Sequence, residues 1–412
     1  MNAYVEGECF LKGVVIPSGA KNAVLPIICA SLLAKGKVLL RNVPNISDVD
    51  NLITILRKIN CQIFYKNHNL LIKNVNLIYT PLLFEECKKL RASYYLIGVF
   101  LTLFGKCEIM LPGGCKIGAR PIDLHLQVFS DMGYKWEISN DILSITKKKL
   151  INDLKINIAK LSVGASINAL FTGLSSNRIE IENCLFEPEG IDVISFLRKI
   201  GYKIELNGRK LIYEKSQMIF KFIKHTVVYD RIEAMSYAVL GLLTGDITIK
   251  KIDTKYLELP LRILKDSGFN ISYTNNEIRA KKSVGNAMKI TTDVYPGFPT
   301  DLQSIYGTLC INTNGENMIE ETIFENRMQI YYDLLKSNVS CLITGNKVTI
   351  VNDKEIVKQN YEAFDLRHGM AVLLLALAIR GTSTISNFEY ILRGYDGVVK
   401  KLLNLGAQIK IE

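Results

Sequence analysis

At 412 residues the chain is too long for one ordinary core, and with 48% hydrophobic residues, ten prolines and no low-complexity tract it reads as globular throughout, most simply as two domains. The formal charge of +11 comes from lysines spread along the chain without an arginine-aromatic cluster, which argues against a nucleic-acid partner and for a basic surface able to steer a small polyanion. The longest apolar runs, 94–105 and 369–379, are too short to span a bilayer, and residues 1–8 lack a basic stretch followed by an apolar one, so no membrane insertion and a cytoplasmic location are expected. Nine cysteines, an odd number with no Cys-x-x-Cys pair, read as free thiols and not as zinc ligands or disulfides.

Taken in order, the chain repeats one plan six times: a polar or charged residue, an apolar helix, a turn, a strand, an amphipathic helix and a short strand. The first copy opens at Lys21-Asn22 and predicts a strand over 37–43, a helix over 48–59 and a strand over 62–65. The second opens at Arg91, with a strand over 107–111 and a helix ending at Met132-Gly133. Between those two elements lies the run 111–125, with Gly113, Gly114 and Gly118 around Cys115. Three glycines in six residues rule out stable regular structure, so a mobile loop is expected, ending at Arg120-Pro121 where a helix begins. Lys116 and Arg120 would favour the Cys115 thiolate. A small apolar filler is the bland alternative for that thiol.

The third copy opens at Ser162-Val163-Gly164, with a strand over 178–182 and a helix ending at Gly201; the fourth opens at Arg231, with a strand over 246–250 and a helix ending near Gly268. The fifth opens at Asp301, with a strand over 317–321 and a helix around 331–335. The sixth opens at Asp365-Leu366-Arg367, with a strand over 383–386 and a helix over 397–405. In each copy the first helix is apolar on nearly every face and must be buried. Three such copies around a bundle of buried helices make one domain, so six make two similar ones. Lys21, Arg91, Arg231 and Arg367 stand where buried helices begin. Those ends carry unpaired N–H groups and partial positive charge, and two such faces opposed would trap an anion.

The runs Ser18-Gly19-Ala20-Lys21-Asn22-Ala23, 111–125, 162–165, Asp230-Arg231-Ile232-Glu233, Phe298-Pro299-Thr300-Asp301, Phe324-Glu325-Asn326-Arg327, Asp365-Leu366-Arg367 and Arg393-Gly394-Tyr395 together resemble the enolpyruvyl transferases, and among them the UDP-N-acetylglucosamine 1-carboxyvinyltransferases. The match runs through the whole chain in order; the Cys115 loop is its most specific part. The resemblance implies an α/β fold of two inside-out domains, each of three βαβαββ-type units around buried helices: residues 21–228 with the Cys115 loop, and residues 1–20 with 229–412 carrying Asp301, Arg367 and Arg393. It implies transfer of the enolpyruvyl group of phosphoenolpyruvate to the 3-hydroxyl of UDP-N-acetylglucosamine with release of phosphate, at the first committed step of peptidoglycan synthesis. No metal and no organic cofactor is implied.

The same resemblance carries roles onto particular residues. Cys115 would give a proton to the methylene carbon, and would be the residue alkylated by fosfomycin; Asp301 would be the base for the hydroxyl; Lys21 is placed with them as catalytic. Lys21, Arg91, Arg120, Arg367 and Arg393 have anion-binding roles toward phosphoenolpyruvate. Arg120, Pro121, Asp123 and Leu124 are implied at the uridine, and Lys160 with Ser162, Val163 and Gly164 at the diphosphate. Asn22 would hold the sugar, and Asp365 would couple loop closure to the ligands.

The chain departs from the family pattern at Met235, Ile330-Tyr331, His368, Met370 and the run 390–392 before Arg393; those at 330–331, 368 and 370 fall in units whose helix starts are expected to face the sugar. His368 is read as helix packing, His125 and the sole tryptophan, Trp136, as structural. The alternative function is an enolpyruvyl transferase of the same fold acting on a different uridine nucleotide. A six-unit DNA clamp is disfavoured because its helices should carry Lys/Arg stripes where these are apolar.

Overall fold

The computed structural model describes all residues except 75–76, 113–121, 150 and 217–220, so Cys115, Lys116, Arg120 and Pro121 lie outside the described residues. The rest divides into two compact units. A terminal unit comprises Met1–Ser18 and Tyr229–Glu412, and a central unit comprises the described residues of 19–228. Each has its own hydrophobic core.

Three apolar helices form the centre of each unit. In the central unit they are α1 (Lys21–Ala30), α2 (Tyr95–Phe104) and α3 (Val163–Gly173); in the terminal unit α4 (Arg231–Thr244), α5 (Gln303–Leu309) and α6 (Leu366–Ala378). Every residue of α4 and α5 is buried, as the lack of a polar stripe requires. In the terminal unit the three helices pack on one another, and in the central unit α2 packs on both α1 and α3. Each fully buried Leu, Ile or Phe among them contributes about 1.5–3 kcal/mol of transfer free energy.

Around each trio stand three larger sheets with one repeated strand order, and the terminal unit adds a two-stranded parallel pair, Gly285–Asn286 with Thr313–Asn314. In the central unit Lys221–Thr226 runs parallel to Gly36–Arg41, which pairs antiparallel with Asn69–Lys73, itself antiparallel to Gln62–Lys66. Asp153–Asn157, Arg178–Glu182, Lys210–Glu214 and Lys203–Asn207 repeat that order. In the third sheet, of Lys106–Met110, Ile142–Lys147 and Tyr134–Ser139, a parallel bridge from Leu82 to Ile109 takes the place of the missing strand. In the terminal unit Lys12–Val15 lies parallel to Asp246–Lys250, and Lys289–Thr291 parallel to Glu316–Glu320. The last sheet recruits the start of the chain: Ala3–Gly7 sits between Gly381–Ser386 and Gln408–Ile411, antiparallel to both, where the other sheets use a strand of their own repeat.

The amphipathic helices end by one device. After Ser47–Lys58, Asp123–Asp131, Pro188–Lys199, Glu258–Asp266, Gln329–Lys336 and Val398–Asn404 the chain turns through a positive φ at Asn60, Gly133, Gly201, Gly268, Asn338 and Gly406 respectively. Glycine adopts that conformation freely and asparagine nearly so, which is why each helix stops there. Acidic residues in the first turn and basic ones in the last, Asp48 and Asp50 against Arg57 and Lys58 in the first of these helices, complement the helix dipole.

Candidate active site

In the terminal unit the three inner helices begin beside acidic side chains. Asp230 caps α4, its Oδ1 accepting from the N–H of Ile232 at 2.8 Å and of Glu233 at 3.0 Å. Asp365 caps α6 in the same way, accepting from Arg367 at 2.7 Å and His368 at 3.0 Å. Asp301 lies in the 3-10 turn Thr300–Leu302 that leads into α5. Its carboxylate is gripped by two guanidiniums: Arg327 reaches Oδ1 at 3.0 Å and Arg367 reaches Oδ2 at 2.7 Å. Both arginine side chains are 6% exposed, whereas Asp301 keeps 23% of its side-chain surface open. The cations are thus held inside the unit and the carboxylate is presented at their edge.

Each guanidinium is itself oriented. Arg327 donates to Thr300 Oγ1 at 2.7 Å, and that hydroxyl donates to Glu321 Oε2 at 2.8 Å. Glu321 in turn accepts from the N–H of Ile323 and Phe324 and from Thr292 Oγ1. Arg367 donates to Tyr395 Oη at 3.3 Å, which meets Ser236 Oγ at 2.9 Å. Burial works against the charge of Arg367, but Asp301 first, then Tyr395 and Asp230, outweigh it and push its pKa upward. Arg393, half-buried, closes the short helix Glu389–Leu392, two residues before Tyr395. Arg231, buried at the first position of α4, lies over the Tyr295 ring at 5.9 Å and lines a cavity of about 180 Å³ with Tyr256, Pro260 and Pro299.

In the central unit Lys21 is the first residue of α1 and pairs with the buried Asp48 at 2.7 Å; Asn22 beside it is exposed. Arg91 opens the 3-10 turn Arg91–Tyr94 ahead of α2, its guanidinium 5.7 Å from the Tyr94 ring centroid. Ser162 caps α3 by accepting from Ala165 N–H at 3.2 Å; Val163 and Gly164 follow half-buried, and Lys160 is exposed. Asp123 is exposed at the start of its helix, with Leu124 half-buried behind it.

His125 joins these parts. Asn168 accepts from Gly98 N–H through Oδ1 at 3.1 Å, which turns its amide NH₂ toward His125 Nδ1 at 2.9 Å. Nδ1 is therefore the acceptor and the proton belongs on Nε2. Burial, helped by Arg91, pushes the His125 pKa down to about 4, so the ring is neutral. A side chain at Gly164 would bring a Cβ within 3.0 Å of the ring, so the start of α3 is glycine where it meets His125. His125 is thus a structural residue that packs against the start of α3. Trp136 is 42% exposed and donates to Ser130 Oγ.

Within the terminal unit the structure brings Asp301, Arg367 and Asp365 together; within the central unit it links Arg91, His125 and Gly164. Sequence reasoning did not single out Arg327 or Thr300, although both lie in runs it quoted; their spacing from Asp301 carries no hint of contact. Of the departures from the family pattern, Met235, Ile330, Tyr331 and Met370 are 0% exposed and His368 is 4% exposed, whereas in the run 390–392 Ile391 is buried and Tyr390 and Leu392 are half-buried. The first five side chains turn into the core of their unit, and His368, read as helix packing, is among them. The eight described cysteines are free, and among the described residues no helix is long and apolar enough to cross a membrane.

The family model described as EPSP synthase (3-phosphoshikimate 1-carboxyvinyltransferase) matches residues 5–402. The UDP-N-acetylglucosamine 1-carboxyvinyltransferase of Pelagibacter ubique (strain HTCC1062) is 35% identical over 410 residues, covering 98% of each chain. That of Buchnera aphidicola subsp. Schizaphis graminum (strain Sg) is 36% identical over 414 residues, covering 99% of each. Among solved structures, the enolpyruvyl transferase NikO from Streptomyces tendae superposes with a TM-score of 0.90 at 20% identity, over 99% of this chain and 98% of that one. EPSP synthase from Acinetobacter baumannii gives 0.77 at 16% identity over the full length of both. The last two speak for the fold alone.

Proposed function

The chain belongs to the enolpyruvyl transferases, in the family of UDP-N-acetylglucosamine 1-carboxyvinyltransferases, and from that premise we propose that it moves the enolpyruvyl group of phosphoenolpyruvate onto the 3-hydroxyl of UDP-N-acetylglucosamine and releases phosphate. In a cell this is the first committed step of peptidoglycan synthesis, serving wall growth, cell shape and division, and it takes place in the cytoplasm.

The reaction is an addition followed by an elimination. The 3-hydroxyl adds to the enol carbon while Asp301 takes its proton and Cys115 gives one to the methylene carbon; phosphate then leaves as a proton returns from the new methyl group. What favours Asp301 as the base is its two-arginine grip at a partly open carboxylate. An anion arriving at Arg367 takes over part of that pairing, leaving a carboxylate oxygen for the hydroxyl proton. Lys21, Arg91, Arg120, Arg367 and Arg393 compensate the phosphate and carboxylate of phosphoenolpyruvate, and Asn22 holds the sugar. Arg120, Pro121, Asp123 and Leu124 take the uridine. Lys160 and the start of α3 at Ser162, Val163 and Gly164 take the diphosphate, as a helix N-terminus with no acidic residue in its first turn favours.

The single observation that carries this reading is the Asp301 carboxylate between Arg327 and Arg367. Incubation with both substrates should give the 3-O-enolpyruvyl ether and free phosphate, Asp301→Ala should give neither, and Cys115→Asp should keep turnover that Cys115→Ala loses. Fosfomycin should alkylate the wild type and spare Cys115→Asp. If UDP-N-acetylglucosamine binds without ether formation while a bare uridine nucleotide is enolpyruvylated, the acceptor is a different one.

A further inference from the structure

Two segments supply the guanidiniums that hold Asp301: the turn carrying Arg327, which runs into helix Gln329–Lys336, and the start of α6, which carries Arg367. They are tied to each other by one buried side-chain pair. His368, the residue after Arg367, brings Nε2 to 2.7 Å from Oδ2 of Asp333 on helix Gln329–Lys336. The other ring nitrogen accepts the N–H of Phe364 at 3.0 Å. A backbone N–H only donates, so Nδ1 is bare and the proton sits on Nε2, where it donates to Asp333. Asp333 is 7% exposed, and its second oxygen meets Lys336 Nζ at 3.3 Å. The ring is therefore held at both ends and has no third polar position with which to act on a substrate.

We propose that His368 and Asp333 are positioning residues for this reaction: a strut that locks the Arg327 segment to the Arg367 segment and so sets the spacing of the two guanidiniums on Asp301. Two carboxylate oxygens met at 3.0 and 2.7 Å from opposite segments demand that those segments keep one distance. Hydrophobic contact alone permits sliding, whereas a buried hydrogen bond to a carboxylate is short, directional and costly to leave unmade. The same ring sets the approach to α6. By accepting from Phe364 it fixes the residue before Asp365, and Asp365 caps the turn from which Arg367 projects.

The inference rests on the assignment of Asp301 as base, and its test separates the two. Steady-state rates on the full chain are compared for His368→Leu, His368→Gln, Asp333→Leu and Val348→Ala, the last a buried residue elsewhere in the terminal unit that serves as a stability control. His368→Leu should lower kcat by roughly 10- to 100-fold, the scale of a small misplacement of a catalytic group, with KM for both substrates within about threefold. His368→Gln, which can still donate to Asp333, should recover most of that loss, and Val348→Ala should keep kcat at a comparable fall in melting temperature. If His368→Leu does not fold, the Asp333→Leu and His368→Gln pair carries the test: a loss in the first, which has no acceptor for Nε2–H, and near-normal turnover in the second are expected. A kcat that merely follows melting temperature across all four variants overturns the strut. Turnover that survives Asp301→Ala overturns the base assignment instead.

Discussion

The substitution pair Gly307→Ala and Tyr331→Val tests the packing beneath the candidate base in a way single variants cannot. Gly307 lies in α5, and a Cβ built there would stand 2.8 Å from Cε1 of Tyr331 and 3.2 Å from its hydroxyl. The ring has no room to retreat, since Tyr331 is fully buried and its Oη accepts from Gln303 Nε2 at 2.8 Å. In the wild-type background, alanine gains about 1 kcal/mol of helix propensity but meets an overpacking cost of about 1–3 kcal/mol, so Gly307→Ala should be neutral to destabilising by about 2 kcal/mol. With Tyr331→Val the ring is gone. The methyl group then enters vacated space, adding about 0.8 kcal/mol of burial to the propensity gain, and the same substitution should stabilise by about 1–2 kcal/mol. The sign of one mutation therefore depends on the other, with a coupling of about 1–4 kcal/mol between contacting sites. The only tryptophan, Trp136, lies in the central unit, so urea unfolding is better followed by circular dichroism and by hydrogen exchange at the α5 amides. Gln303 is two residues from Asp301, and turnover lost in Gly307→Ala should be partly regained in the double variant. Equal destabilisation by Gly307→Ala in both backgrounds would refute the reasoning.

Glu233 gives a pH test: burial, opposed by Lys401, raises its pKa from 4.5 to about 7, so between those values the folded chain holds the proton more tightly than the unfolded one. Its contribution to stability therefore declines as pH rises from about 4.5 to 7, and Glu233→Gln should flatten that decline in unfolding midpoints taken across the range; an unchanged slope would count against it. Ser162→Ala removes the cap of α3 and should cost about 1 kcal/mol of stability while weakening UDP-sugar binding in titration calorimetry. Full retention of that affinity would separate the cap from the ligand. Arg327→Lys gives up the forked contact to Asp301 and Thr300 and should lower kcat by about tenfold or more with little change in phosphoenolpyruvate KM, whereas a pure KM effect would make Arg327 a substrate ligand.

Much of the architecture could be read because the repeat is written in period and punctuation. Helices apolar on all faces alternate with amphipathic ones, and a glycine or asparagine in left-handed conformation ends every outer helix, from Asn60 to Gly406. What could not be read was strand partnership. The short strands Asn69–Lys73 and Glu277–Lys281 look like ordinary polar-apolar mixtures until their hairpin partners are known, and nothing local tells Ala3–Gly7 to complete a sheet with residues near 385 and 409. Side-chain pairing was equally silent. Asp301, Arg327 and Arg367 meet across 66 residues of chain, and sequence shows a charge without showing its partner.

The departures from the family pattern acquire their meaning only from burial. Read along the chain, Tyr331 and His368 change the residue types next to a candidate sugar site, which would point to a different acceptor. In the fold both turn inward, Tyr331 to Gln303 on α5 and His368 to Asp333 on the outer helix. A substitution that alters what a substrate touches must expose a new group, and these expose none; what they alter is how Asp301, Arg327 and Arg367 are held. Core polar links are costly when half-made, so a histidine entering at 368 is tolerable only because Asp333 accepts its proton and Phe364 N–H meets its lone pair. Tyr331 and His368 therefore bear on how firmly Asp301 and its two arginines are held.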